Sequence, residues 1–188
     1  MLQAAREVAQ QKKDNPGRQD YVADVIYEAK AEAWSYGCCL ALVAVDADTG
    51  VVDVENIWWL DDAGTVVNPM LVKGQIMGGI AQGLGEVLME KIVYDENGQL
   101  LTGSLMDYAL PREDDMPDIE IHQQSTPTDA NLLGAKGVGE AGTIGAPAAV
   151  LNAVLDALAP LGVDHLDMPA TGETVWQAIR SAREGNGK

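Results

Sequence analysis

Positive charge is scarce in this chain: 12 lysines and arginines stand against 29 aspartates and glutamates in 188 residues, a formal net charge of −17. Nothing in that balance supplies a basic face for phosphates, which argues against a nucleic-acid partner. The excess acid favours solubility. Its densest stretch, Asp107 to Glu120, reads as a solvated loop or a rim facing a partner. Cysteine is nearly absent. Cys38 and Cys39 are the only two, and adjacent cysteines form a strained disulfide, so both are expected reduced, on opposite faces of a strand. Two thiols are also too few for an iron–sulfur cluster, which takes about four. The only histidines, His122 and His165, share no metal-ligand spacing with each other or with the cysteines, so no protein-borne metal site is expected. No stretch reads as the ~20 apolar residues of a membrane span. Met1 to Gly17 is polar and charged, unlike a secretory signal. The expectation is a cytoplasmic protein with no membrane partner.

What is present suffices for one ordinary domain, since 47% of the residues are hydrophobic. A polar segment, residues 1–24, predicts a short helix over Met1 to Lys13 that ends at Asn15-Pro16-Gly17. The remainder, residues 25–188, opens with a hairpin. Cys38 to Asp46 and Val51 to Leu60 read as its strands, joined by the turn Ala47-Asp48-Thr49-Gly50. Asn68 caps a helix with Pro69 as its first residue. Leu71, Ile76, Ile80, Leu84, Val87 and Leu88 give that helix, Met70 to Lys91, one apolar face. It also carries Gly74, Gly78, Gly79, Gly83 and Gly85. Each costs a helix about 1 kcal/mol against alanine, so close packing or contact with a cofactor is expected to offset them. Ile92 to Tyr94 and Leu100 to Thr102 predict a second hairpin around Asn97-Gly98. Ile119 to His122 and His165 to Met168 predict short strands, with helices over Val150 to Leu158 and Thr174 to Arg183. Helices mixed with antiparallel hairpins, without regular βαβ alternation, make the class α+β.

The most suggestive stretch is Ala135 to Pro147. It holds one carboxylate, Glu140, among Gly137, Gly139, Gly142 and Gly145, just before a helix-like run from Ala148. Glycines let a backbone approach a ligand closely and adopt positive φ, and a helix start favours anionic groups. The stretch suggests a site built against a polyanionic cofactor. Gly137-Val138-Gly139-Glu140-Ala141-Gly142 also matches G-x-G-x-x-G. A dinucleotide site remains a remote alternative: no hydrophobic strand precedes the match, and Glu140 would set a negative charge where a pyrophosphate sits.

Four blocks in order carry a stronger signal. They are Asp61-Asp62-Ala63-Gly64-Thr65-Val66-Val67-Asn68-Pro69, Gly74 to Gly85, Leu101 to Pro111 and Lys136 to Gly142. From about Tyr27 to Arg183 the chain resembles the C-terminal part of the molybdopterin-binding large subunit of the xanthine oxidase family. The likeness is greatest to the branch of the aerobic carbon monoxide dehydrogenase-like proteins and related aldehyde dehydrogenases. The resemblance implies part of the second molybdenum-cofactor-binding domain, and Glu140 by position as the catalytic base. That base would deprotonate a hydroxyl on molybdenum, whose oxygen attacks an electron-poor substrate carbon. It implies Gln75 as a pterin-binding amide, suited by carrying both donor and acceptor, with Gly137, Val138 and Gly139 offering backbone groups. The implied cofactor is molybdenum–molybdopterin in its cytosine dinucleotide form. FAD and 2Fe-2S clusters would sit on partner subunits, alongside the rest of the large subunit and a small-molecule substrate. Tyr108, Arg112 and the Trp58-Trp59 pair are expected to be structural.

The family's subunit is several times longer and completes the site with parts this sequence lacks. The chain is expected to be inactive alone. It is either a contributor to a shared site, a truncated and inert domain, or a non-catalytic interaction module that reuses the fold.

Overall fold

The computed structural model describes residues 1–28 and 31–185. The elements are α1 (Leu2–Asp14), β1 (Tyr36–Val45), β2 (Val52–Asp62), α2 (Pro69–Leu88), β3 (Asp118–Gln123), α3 (Ala141–Leu158) and α4 (Gly172–Gly185), with short 3-10 turns at Glu113–Asp115 and Ala159–Leu161. The α+β class holds. β1 and β2 form the expected antiparallel hairpin, from Tyr36 opposite Asp62 to Val45 opposite Val52, with one register shift between Leu42 and Val43. β3 joins the other side of β2 in parallel, Ile119 beside Ile57 and Ile121 beside Trp59, so the sheet is mixed in the order β1-β2-β3.

Alternation along β2 sends Val54, Ile57, Trp59 and Asp61 into the molecule. Above them lies α3, and α2 packs on α3 from its far side. The core joins Ile57 and Trp59 to Ile76, Ile80, Leu84 and Val87 of α2, to Ala146, Val150, Val154 and Leu158 of α3, and to Val175 and Ile179 of α4.

The α2 glycines divide by role. A Cβ on Gly79 would stand 2.9 Å from the Gly142 Cα, and one on Gly83 would stand 2.9 Å from the Pro147 Cδ. Both let α3 lie directly on α2. Gly74 and Gly78 face open space instead. The start of α2 follows the sequence: Asn68 Oδ1 accepts from the Met70 and Leu71 amides at 3.1 and 3.2 Å, and Pro69 occupies the first turn. Asn68→Ala removes both bonds and is expected to cost about 1 kcal/mol, read from the denaturant midpoint.

Several expectations are corrected. α3 begins at Ala141, seven residues before Ala148, and carries Pro147 in its second turn. The ring sits over Gly83, so packing recovers part of what the lost amide costs. With the following 3-10 turn, Ala141–Leu161 makes a 21-residue run long and apolar enough to cross a membrane. That overturns the expectation of no such stretch. Its Gly142, Ala146, Val150, Val154 and Leu158 stripe nonetheless builds the core, while Asn152 and Asp156 are exposed. The second hairpin shrinks to one bridge, Tyr94 opposite Leu100, around a turn in which Gly98 has φ 80°. Ile92, Leu100 and Leu101 are exposed, and two strands without a covering layer are not stable. His165 to Met168 forms no strand; the chain crosses instead to α2, where the Ala170 amide donates to the Val87 carbonyl at 2.7 Å.

Candidate functional site

The glycine loop connects an isolated pairing with the segment before β1 to the first turn of α3. The Gly137 amide donates to the Ala33 carbonyl at 3.3 Å, and Glu140 occupies the cap position of α3 with φ −114°. None of Gly137, Gly139, Gly142 and Gly145 has positive φ. The expected left-handed turns are absent, and the requirement at Gly142 and Gly145 is close approach, while Gly137 faces open space. A Cβ on Gly142 would stand 2.5 Å from the Ile76 carbonyl oxygen, and one on Gly145 would stand 2.7 Å from the Trp59 ring. These contacts fix the start of α3 against α2 on one side and the sheet on the other.

Gln75 and the loop meet. The Gln75 side-chain amide donates to the Gly139 carbonyl at 3.1 Å, across 64 residues of sequence. Gln75, Gly137, Gly139 and Glu140 are all exposed, while Val138 is half-buried with its side chain packed against the core. Gln82 is exposed on α2 and Tyr108 donates to a Glu90 carboxylate oxygen at 2.5 Å, a structural contact. Trp59 is buried under Gly145 and Trp58 lies half-exposed on the opposite face of the sheet.

Behind the loop sits a polar cluster that sequence reasoning gave no role. Lys136, the residue before Gly137, places its Nζ 3.2 Å from an Asp62 carboxylate oxygen, with both side chains almost fully buried. The same ammonium lies 4.4 Å from the centre of the Tyr36 ring. Asp62 also accepts from the Gly64 amide at 2.8 Å, from the Thr126 amide at 3.1 Å and from the Thr126 hydroxyl. Burial pushes the Asp62 carboxyl up, but these amides, Tyr36 and Lys136 more than offset it and bring its pKa from 3.8 to about 2. The sequence signal was the pair of adjacent acids, Asp61 and Asp62, directly after the apolar run Ile57-Trp58-Trp59-Leu60.

A carboxyl whose folded pKa is depressed contributes stability that is complete above its unfolded pKa and lost as pH falls through the folded one. Asp62 therefore supports an acid limb between about pH 4 and pH 2. Asp62→Asn is expected to flatten that limb in a pH series of thermal unfolding. An unchanged slope would deny the pair its role.

On the sheet side of the loop a cleft of about 660 Å³ opens between the segment from Ala33 to Cys39 and the first half of α3, with Glu140 at its rim and Trp59 and Asp61 at its floor. Cys38 is exposed and Cys39 half-buried, both free thiols as expected. Burial, then neighbouring Cys38, raises the Cys39 pKa to about 11, so it is a packed thiol and not a nucleophile. His122 and His165 are exposed, each near one carboxylate. Among the described residues no group of three or more histidine, cysteine or acidic side chains converges.

A family model for the molybdopterin cofactor-binding domain matches residues 3–117, more than half of the chain. This chain belongs to the molybdopterin-binding family. The match reaches into α1, ahead of the point where the sequence motifs begin. The chain is 43% identical over 154 residues to the nicotine 6-hydroxylase large subunit of Paenarthrobacter nicotinovorans, covering 82% of this chain and 19% of that subunit. It is 38% identical to the carbon monoxide dehydrogenase large chain of Hydrogenophaga pseudoflava, with the same two coverages of 82% and 19%. The solved structure of reconstituted carbon monoxide dehydrogenase from Oligotropha carboxidovorans superposes with a TM-score of 0.84 at 32% identity, over 90% of this chain and 21% of that one. The chain thus spans about a fifth of the length of the large subunits it matches. It is a piece of the xanthine oxidase family's large-subunit architecture, with the α+β fold of a molybdenum-cofactor-binding domain.

Proposed function

We propose that this chain forms one wall of a molybdopterin site and contributes Glu140 as its proton acceptor, the remaining walls coming from the rest of a large subunit. The observation that supports this most is the Gln75–Gly139 hydrogen bond, which ties the amide-bearing helix to the loop carrying Glu140. The residues present fit the group. Gln75 spends its Nε2 on Gly139 and keeps Oε1 as an acceptor. Around it the surface is bare of side chains: positions 74, 78 and 137 meet nothing within 4 Å where a Cβ would stand. A planar heterocycle needs such a surface, with an amide and main-chain groups at its edge.

When bound, the molybdenum–pterin group supplies the two-electron redox chemistry. This chain's part is narrower. Gln75 and the main chain of Gly137, Val138 and Gly139 hold and orient the cofactor. The Glu140 carboxylate takes up a proton at an oxygen that no other side chain of the loop competes for. The cytosine dinucleotide form of the cofactor, and FAD and 2Fe-2S clusters on partner subunits, belong to the same reading. So does the substrate class: an N-heterocycle, an aldehyde or a CO-like molecule, in keeping with relatives named for nicotine and carbon monoxide.

The test is cofactor occupancy in an assembly made by co-producing the chain with the remaining large-subunit polypeptide. Gln75→Ala is expected to lower pterin and molybdenum content severalfold while the fold persists. Full occupancy in that variant would remove Gln75 from the site. An assembly that forms without any metal would favour the interaction-module alternative.

A further inference from the structure

The floor of the cleft holds polar groups with no hydrogen-bond partner among the described residues. Asp61 is 1% exposed, yet neither of its carboxylate oxygens has a hydrogen-bond partner. The Trp59 indole N–H, two residues back on the same face of β2, lacks one as well. Burial pushes the Asp61 carboxyl up; the Trp59 indole opposes this, Asp62 adds to it and Lys136 lowers it. The indole is near enough to act on the carboxyl but falls short of a hydrogen bond, and closing that pair would still leave one oxygen alone. Among the described residues no lysine or arginine lines the cleft, and its other acid is Glu140. The nearby Lys136 is committed to Asp62 and Thr126. A buried carboxyl in this state either keeps its proton or takes a cation from elsewhere as its partner.

We propose that the cleft receives a peptide segment from the part of the large subunit outside these 188 residues, seated with an arginine guanidinium on Asp61 and a main-chain carbonyl on the Trp59 indole. Two free oxygens on one carboxylate match the fork of a guanidinium better than an ammonium. The indole is a donor only, and a main-chain carbonyl is the acceptor a peptide brings. Trp34 and Tyr36, 75% and 62% exposed on the cleft wall, offer ring faces to the stem and charge of the arginine. About four-fifths of the relatives' length lies outside this chain, and a net charge of −17 complements a basic insert. This inference rests on the reading of the chain as one part of a large subunit, but needs no cofactor.

The test titrates the full chain with N-acetyl-arginine amide and follows the Trp59 indole N–H by nuclear magnetic resonance. The indole signal is expected to shift and saturate, with affinity about tenfold above that of the uncharged isostere N-acetyl-citrulline amide. Asp61→Asn is expected to erase the difference. Equal affinity for the two amides, or a difference that survives Asp61→Asn, overturns the proposal. So does self-association of the chain that Asp61→Asn abolishes in sedimentation, since that assigns the cleft to a second copy. Were Asp61→Asn to misfold, the arginine–citrulline comparison on the native chain still decides. Molybdenum plays no part in the titration. A failure here leaves the catalytic reading standing, and a metal-free assembly leaves this one standing.

Discussion

Glu140→Ala is expected to lower kcat of the assembled enzyme by a factor on the order of 10²–10⁴, with cofactor content and unfolding temperature unchanged. The separation of these effects follows from where the residue sits. Glu140 is exposed at the cap position of α3 and its side chain makes no capping hydrogen bond there. Truncating it therefore removes no hydrogen bond from the helix, only a solvent-screened charge at its start. The loop is held by other means: the Gly137 amide on Ala33, the Gln75 amide on Gly139, and Gly142 against α2. Glu140→Gln keeps the shape and removes the charge, so it should be nearly as inactive. Full activity in either variant would assign the proton transfer to another group. Loss of molybdenum together with activity would make Glu140 a structural residue of the site.

Gly142→Ala is expected to destabilise the chain by about 3 kcal/mol, the upper part of the range for overpacking. For a chain of this size that lowers the unfolding midpoint by roughly 6–12 °C. The added methyl would stand 2.5 Å from the Ile76 carbonyl oxygen, 2.7 Å from the Ile80 amide nitrogen and 2.9 Å from the Gly79 carbonyl carbon. All three are main-chain atoms of α2, so no side chain can swing aside and the two helices must part. Gly78→Ala is the control on the facing helix, α2. Nothing lies within 4 Å of that added methyl, and removing a helix-interior glycine there should stabilise by up to about 1 kcal/mol. Similar effects at both positions, measured by denaturant unfolding, would deny the direct α2–α3 contact. Because Glu140 begins the helix that Gly142 anchors, Gly142→Ala should also cost activity.

The elements readable in the sequence were those with local chemistry. Alternation and an Asp-Thr-Gly turn gave the β1–β2 hairpin; Asn68-Pro69 gave the start of α2. What sequence could not give was set by partners distant along the chain. The early start of α3 depends on Gly142 and Gly145 fitting α2 and Trp59, so a run that reads as a loose glycine loop becomes helix. The second hairpin failed because nothing covers Ile92 and Leu101. In the candidate site, the glycine loop with Glu140 stood out from its own residues and Gln75 through resemblance, but their joining hydrogen bond was not predictable from spacing. The Lys136–Asp62 pair and the unpaired Asp61 were hidden in plain view: adjacent acids at a strand end look solvated until α3 and the loop from Ser125 to Lys136 close over them.

The central claim is that one wall of a molybdopterin pocket is made by α2 and the loop ahead of α3. The most direct test is a crystal structure of the metal-loaded assembly containing this chain. The expected result has the pterin within hydrogen-bond distance of the Gln75 amide and the Glu140 carboxylate directed at the metal centre. A cofactor bound elsewhere, with Gln75 and Glu140 facing solvent or another subunit, would contradict the account.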